Sequence, residues 1–264
     1  MDLGLMGKVA VVTGGSKGLG KAFAHELGKE GAQVSICARN KQDLEQTALE
    51  LRERGVRVIG IEADVTSPQD IARVVDRTIA ELGGIDILVN NAGDTQLNHV
   101  LNTTDEEWRY TMDVDLYSAV RFTRKVVPHM RKRGGGHIIN ISSAVPRTAP
   151  PVPIYHDYVT AKAGLLAFSK AVSFELAPDN ILVNCVCPGF SYSALEERLA
   201  NSAISSFGKT RDEVVQNIAN QFVALKRFAR PDEMSGLVTF LASERASYIT
   251  GSVYDIDGGF QKSL

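Results

Sequence analysis

Seven short apolar runs, each of the first six followed by a stretch of helical character, constrain this chain more than any other feature of its 264 residues. "KVAVVTG", "AQVSIC", "VRVIGI", "IDILVN", "HIINIS", "ILVNCVC" and "SVYDID" are rich in β-branched residues, are too short for buried helices, and read as strands. Strands separated by helices pair in parallel, and a parallel sheet needs helices on both faces. The expected fold class is therefore α/β: a doubly wound, Rossmann-type, seven-stranded parallel sheet. No internal repeat, low-complexity tract or Pro/Ser-rich linker divides the chain, so residues 1–264 read as a single domain.

Composition narrows the partners. A formal net charge of −2, with no dense Lys/Arg run, offers no electrostatic footprint for nucleic acid or an anionic membrane. The N-terminal "MDLGLMGKVAVVTGG" lacks a basic segment followed by a long apolar core, and no stretch reaches the roughly 18 apolar residues of a membrane span. A cytoplasmic protein with a small-molecule partner is the expectation. Cys37, Cys185 and Cys187 are too few for a disulfide framework. Cys185 and Cys187 share one face of a strand with no companion His/Cys cluster, so they read as small core residues, and no metal site is expected.

Two irregular regions follow strand carboxyl ends, where open α/β sheets bind ligands. One is the proline-rich "AVPRTAPPVP" after the fifth strand; the other is the polar stretch from Phe190 to about Ala224 after the sixth. Both are read as walls or a lid of a substrate site, with the lid near residues 190–224.

After the first strand, "TGGSKGLGKAFAHEL" places Gly14, Gly18 and Gly20 at the entry to a helix. A turn without side chains lets backbone N–H groups and a helix N-terminus approach a pyrophosphate, although the spacing is not the common G-x-G-x-x-G. Selectivity is read at the end of the second strand. A site for an unphosphorylated adenosine ribose places Asp or Glu about 20 residues after the turn. Here the positions hold Ala38 and Arg39, with no carboxylate beside them in "SICARNKQ". Arg39, helped by Lys17 in the turn, suits a 2′-phosphate, so NADP(H) is expected over NAD(H).

These features, with further motifs in order along nearly the whole chain, resemble the classical short-chain dehydrogenase/reductase family. "TGGSKGLG" looks like its cofactor turn, which brings in Ser16 and Leu19 beside Gly14, Lys17, Gly18 and Gly20. "ADV" resembles its adenine contact through Asp64, with Val65 next to it, and "NNAG" its sheet-stabilising segment beside the cofactor, with Asn91, Ala92 and Gly93. "NISS" ends at Ser143, "YVTAK" runs from Tyr158 to Lys162, "NCVCPG" ends in Pro188 and Gly189, and "YDIDGG" lies near the C-terminus. The resemblance implies a dinucleotide-binding and catalytic domain, Ser143 as the serine bonding the substrate oxygen, and Lys162 as a hold on the nicotinamide ribose. It also implies a dimer or tetramer built on the helices carrying Asp115 and Tyr158, for which Leu165, Leu166, Phe168, Val172 and Leu176 supply apolar positions that core packing also uses.

Exchange of hydride between a nicotinamide and a carbonyl or alcohol requires a proton donor or acceptor at the oxygen. A free tyrosine, with a pKa of about 10, is a poor base at neutral pH, and a neighbouring ammonium lowers that value. Tyr158 and Lys162 are four apart and so share a helix face. Tyr155, three before Tyr158, is the rival and reads as packing or substrate wall; His156 is out of phase and reads as a loop or surface histidine. Ser142 should face away from Ser143. The 15-residue separation of Ser143 from Tyr158 slightly exceeds the family's common spacing, the extra length lying in the proline-rich loop.

One position departs from the family. Asp115 stands where the resemblance expects a fourth catalytic residue, an asparagine. Thr104 and Glu107 form an S/T-x-x-E capping box, and in helical phase from there Trp108, Met112, Asp115, Ala119, Phe122 and Val126 line one side. A carboxylate on an apolar stripe must be paired or neutralised. Asp115 either replaces the asparagine in a relay through water to Lys162 or pairs with a nearby cation; Asp113 falls off the stripe. The leading reading is an NADP(H)-dependent carbonyl reductase or alcohol dehydrogenase. A non-redox enzyme using Tyr158 and Ser143, and a nucleotide-sensing binding protein, stand as alternatives.

Overall fold

Strands β1 (Val9–Thr13) and β6 (Ile181–Pro188) are buried at every position, as parallel strands covered on both faces must be. The computed structural model describes residues 2–94, 98–147, 156–192 and 210–262. Among these, β1 and β6 join β2 (Gln33–Ala38), β3 (Val58–Glu62), β4 (Ile87–Asn90), β5 (Gly136–Ile141) and β7 (Val253–Ile256) in one sheet, ordered β3-β2-β1-β4-β5-β6-β7. All the pairings are parallel. Each strand falls on one of the seven apolar runs. The order changes direction between β1 and β4, and there a crevice opens at the carboxyl ends.

Strand alternation sorts the core into two layers. Ala10, Val12, Ile139 and Ile141 pack with Phe23 and Leu27 of α1 (Gly18–Lys29) and Met234, Val238 and Leu241 of the C-terminal helix α8 (Pro231–Leu241). Val11, Leu88 and Ile138 face the other way, onto Val74 and Val75 of α3 (Pro68–Leu82) and Phe122 and Val126 of α5 (Ser118–Lys132). Each such Leu, Val or Phe contributes about 1.5–3 kcal/mol of burial, so both sheet faces are anchored. Helix α2 (Lys41–Glu53) covers β3 and is capped by Asn40. Cys37, Cys185 and Cys187 are buried free thiols, and among the described residues no group of three or more His, Cys, Asp or Glu side chains is poised around a metal position. No described helix is long and apolar enough to cross a membrane.

Three expectations change. The helix after β4 starts as predicted, with the reciprocal Thr104–Glu107 box opening α4 (Asp105–Met112), but it does not continue in α phase. A π-helical turn spans Asp113–Tyr117, closed by the Ser118 N–H donating to the Asp113 carbonyl, before α5 begins. A five-residue hydrogen-bond span widens one turn and rotates the helix beyond it, yet Asp115, Ala119, Phe122 and Val126 stay buried. Second, the polar stretch read as irregular contains α7 (Arg211–Phe222), capped by Thr210 and Glu213 and packed through Val214, Val215 and Ala219 against Phe228. Residues 193–209 of that stretch, and residues 148–155 with most of the proline-rich loop and Tyr155, lie outside the described residues. Third, of the α6 (His156–Leu176) positions open to either a partner surface or the core, Leu165 and Leu176 go to the core, buried within the subunit because that helix packs along β6.

Behind the crevice runs a buried polar ladder. The Asn90 amide donates to Asn140 Oδ1 at 2.8 Å, the Asn140 amide donates to Ser169 Oγ at 2.8 Å, and Ser169 donates to the Leu165 carbonyl at 2.6 Å. It ties β4 and β5 to α6. Removing one member strands the others in a dry interior, so Asn140→Ala should lower the unfolding free energy by about 2 kcal/mol, read as a lower urea midpoint.

Candidate active site

The cavity at the carboxyl ends of the strands has a volume of about 500 Å³. It begins at the glycine turn, where Gly14, Ser16, Lys17, Gly18, Leu19 and Gly20 form the wall. Gly14 sits at φ +64°, and a Cβ at Gly20 would run into the Gly14 carbonyl and the Asn91 amide. Both positions therefore require glycine. Asn91 fastens the turn to β4: its side chain donates to the Thr13 carbonyl at 2.8 Å, while the Asn91 and Ala92 N–H groups donate to Thr13 Oγ1 at 2.9 and 3.0 Å. Lys17, at the N-cap of α1, gives no side-chain cap and instead pairs with Asp43 at 2.8 Å.

From there the cavity passes Arg39, Asp64 and Val65, runs over Asn91, Ala92 and Gly93, and ends at Ser143, Tyr158, Lys162, Pro188 and Gly189. Every residue expected at the cofactor lines it. Asp64 is held in place by the backbone N–H and the hydroxyl of Thr66, both 2.8 Å from its Oδ1. The wall also contains Phe190, the first residue of the stretch read as a wall or lid, and Asp43, Asp94 and Phe260, which the sequence did not single out. Asp94 directly follows "NNAG", and its position beside that motif was the available signal. The view that no carboxylate opposes the two cations is corrected: Asp43 meets Lys17, and Asp94 lies 3.3 Å from Arg39. A chain segment far from "SICARNKQ" supplies one of these carboxylates and the first turn of α2 the other.

At the far end, Lys162 is 3% exposed, donates to the Ile141 carbonyl at 2.9 Å and has its Nζ 5.5 Å from the centroid of the Tyr158 ring. Tyr158 is half-buried on the cavity wall. Ser142 and Ser143 both border the cavity but bond differently: the Ser142 hydroxyl donates to the Lys162 carbonyl at 2.9 Å, whereas Ser143 Oγ accepts from the Val145 N–H at 3.2 Å. His156 is partly buried at the start of α6 rather than lying free in a loop. It stacks on Trp108 with centroids 5.3 Å apart and sits 3.0 Å from Thr103 Oγ1, while the buried Asp157 accepts from Thr111 at 2.7 Å. The first turn of α6 is thereby docked onto α4.

Asp115 does not line the cavity but lies beneath it. Its Oδ1 is 3.1 Å from Lys162 Nζ, and its Oδ2 accepts from the Asp94 N–H at 3.2 Å. The contact with the lysine is direct: of the two readings the sequence left open, pairing with a nearby cation is the one this geometry matches, and the cation is Lys162 itself. Gly93 makes room for it: a Cβ there would lie 2.6 Å from Asp115 Oδ1 and 3.3 Å from Lys162 Nζ. Burial pushes the Asp115 carboxyl up to about 6, against the opposing pull of the Lys162 ammonium and the Asp94 N–H.

A family model described as enoyl-(acyl carrier protein) reductase matches residues 14–261. The human dehydrogenase/reductase SDR family member 4 is 34% identical over 261 residues, spanning 98% of this chain and 90% of its own. The chain is a classical short-chain dehydrogenase/reductase. The 3-oxoacyl-(acyl-carrier-protein) reductase of Aquifex aeolicus is 36% identical, covering 98% of this chain and 99% of the relative. The crystal structure of L-sorbose reductase from Gluconobacter frateurii, complexed with NADPH and L-sorbose, superimposes with a TM-score of 0.95 at 39% identity over the whole of both chains. This short-chain dehydrogenase/reductase is thus an oxidoreductase of the reductase kind.

The raised Asp115 value has a sign that can be measured. The native state holds this proton more tightly than the unfolded chain, whose carboxyl titrates near 4, so the group's contribution to stability falls as pH rises from about 4 to about 6. Subtracting the stability-versus-pH curve of Asp115→Asn from that of the wild type should leave a decline confined to that window. Gly93→Ala should force Asp115 and Lys162 apart and cut turnover at least about tenfold, as expected when a supporting group shifts by an ångström or so, with circular dichroism unchanged.

Proposed function

We propose that this protein is an NADP(H)-dependent carbonyl reductase in which Tyr158 is the proton donor to the substrate oxygen. The observation that carries the reading is the single cavity in which Tyr158, Lys162 and Ser143 stand at one end and Arg39 and the glycine turn at the other. The cradle fits a dinucleotide: Gly14 and Gly20 let the turn close tightly against Asn91 and Ala92, and the first turn of α1 borders the cavity without a side-chain cap. Gly14, Ser16, Lys17, Gly18, Leu19 and Gly20 would hold the pyrophosphate; Asp64 and Val65 the adenine; Arg39 and Lys17 the 2′-phosphate. Asn91, Ala92, Gly93, Pro188, Gly189, Tyr158 and Lys162 would hold the nicotinamide riboside. When bound, the nicotinamide supplies the hydride.

The chain's own residues handle the proton. The Tyr158 hydroxyl donates to the carbonyl oxygen as negative charge develops there, and Ser143, whose Oγ accepts from Val145, has its own proton left to donate to the same oxygen. The Lys162 ammonium stabilises the phenolate that remains. Asp115, 3.1 Å from that ammonium, offsets part of its field, so the tyrosine keeps its proton to higher pH than an isolated lysine would allow. A protonated tyrosine suits reduction. Asp115 therefore acts on Lys162 as a positioning and charge-balancing residue.

Asp115→Asn should accordingly move the ascending, acid-side limb of the alcohol-oxidation pH profile, where the tyrosine must lose its proton, down by about one unit, with turnover kept or raised. The proposal includes a cytoplasmic homo-oligomer, dimer or tetramer; the exposed Tyr117 and Phe174, on or beside the helices concerned, offer it apolar surface. The primary test is a panel of ketones, including a ketose and a 3-oxoacyl thioester, followed through nicotinamide absorbance. NADPH should be consumed in preference to NADH. Tyr158→Phe should lose at least about 100-fold in kcat while still binding NADPH, and unchanged turnover in that variant would refute the mechanism.

A further inference from the structure

Over the adenosine end of the cavity, three side chains close a triangle. Arg39 Nη1 donates to the Tyr110 hydroxyl at 2.8 Å, Tyr110 donates to Asp94 Oδ2 at 2.9 Å, and Arg39 Nη2 donates to the same Oδ2 at 3.3 Å. They come from the end of β2, from α4 and from the loop after β4. Nothing in the family motifs of the sequence marks either Asp94 or Tyr110.

The charges decide what this arrangement does. Lys17 is paired with Asp43 and Arg39 with Asp94, so the two cations at this end are matched by two carboxylates. Because Arg39 is more than half exposed and Asp94 is 20% exposed, the pair sits at the border of the solvent, where an anion can compete for the guanidinium. A phosphate dianion offers Arg39 more charge and bidentate geometry than one carboxylate oxygen does, but Asp94 stays beside it and repels it.

We propose that Asp94 is a cofactor-selectivity residue, an internal acceptor that competes with the cofactor's 2′-phosphate for Arg39 and so holds NADP(H) affinity below what the arginine alone would give. This role rests on the proposed use of NADP(H). The effect is on binding, and it should be absent for any ligand without a 2′-phosphate. Through its backbone N–H the same residue also holds Asp115, so its side chain and main chain serve opposite ends of the cavity.

The test is equilibrium binding to the enzyme without substrate, by intrinsic fluorescence or calorimetry, of NADPH, NADH, 2′,5′-ADP and AMP. Asp94→Asn keeps the backbone donor and the shape while removing the charge. It should tighten NADPH and 2′,5′-ADP about three- to tenfold and leave NADH and AMP within about twofold, the scale of one near-surface charge pair. Asp94→Ser, equally uncharged, should repeat that result if the Asn variant folds poorly. Tyr110→Phe, which removes the hydroxyl but keeps the carboxylate, should leave the NADPH-to-NADH ratio within about twofold. Equal changes for all four ligands in the uncharged variants, or a Tyr110→Phe effect as large as theirs, would overturn the inference. Arg39→Ala separates the two claims. If it weakens NADPH selectively while neither Asp94 variant tightens it, only the role of Asp94 fails; if it weakens NADPH no more than NADH, the NADP(H) reading fails and this inference with it.

Discussion

A lysine ammonium at 3% exposure is the constraint around which this site is built. Burying a charge is costly unless it is paired and hydrogen-bonded, and Lys162 is supplied with both: the Ile141 carbonyl from β5 and the Asp115 carboxylate from the turn between α4 and α5. Neither partner lies on α6. The lysine therefore ties the helix that carries Tyr158 to the sheet on one side and to the π-helical turn on the other. Gly93 is bare because that pairing takes the space a Cβ would fill.

The same logic explains why α6 is held so firmly elsewhere. Ser142 bonds the Lys162 carbonyl, the Asn90–Asn140 ladder ends on Ser169, and Asp157 and His156 dock the first turn onto α4. Ser142, Asn140 and Asp157 are buried polar groups bonded to a group from another element, as low-dielectric interiors favour. Together they position the helix that carries Tyr158 against the cavity. The widened turn at Asp113–Tyr117 belongs to this set, since it delivers Asp115 to the lysine while α5 keeps Phe122 and Val126 in the core.

Much of the fold was legible because strand and helix periodicities are local properties. All seven apolar runs became strands, the Thr104–Glu107 box became a helix start, and the glycine turn led from β1 into the first turn of α1. The site was legible in the same way where it is made of contiguous motifs: Ser143, Tyr158 and Lys162 reach one cavity with the glycines. What stayed hidden involved pairs distant in sequence. Arg39 and Asp94 are 55 residues apart, Lys162 and Asp115 are 47 apart, and no spacing rule reports that their side chains meet. The π-helical turn was hidden for a different reason, because inserting one residue's worth of rotation leaves an apolar stripe that still reads as α-helical.

The amino-acid sequence by itself determined the parallel sheet, the glycine cradle and the tyrosine–lysine pair, since each depends on the order and spacing of neighbouring residues. Only the tertiary structure decided the electrostatics: which carboxylate faces each cation, that Asp115 touches Lys162 directly, and that Arg39 is shared with Tyr110 and Asp94. Charge interactions act through space and depend on burial and distance, and those are set when the carboxyl ends of β2, β4 and β5 are brought together.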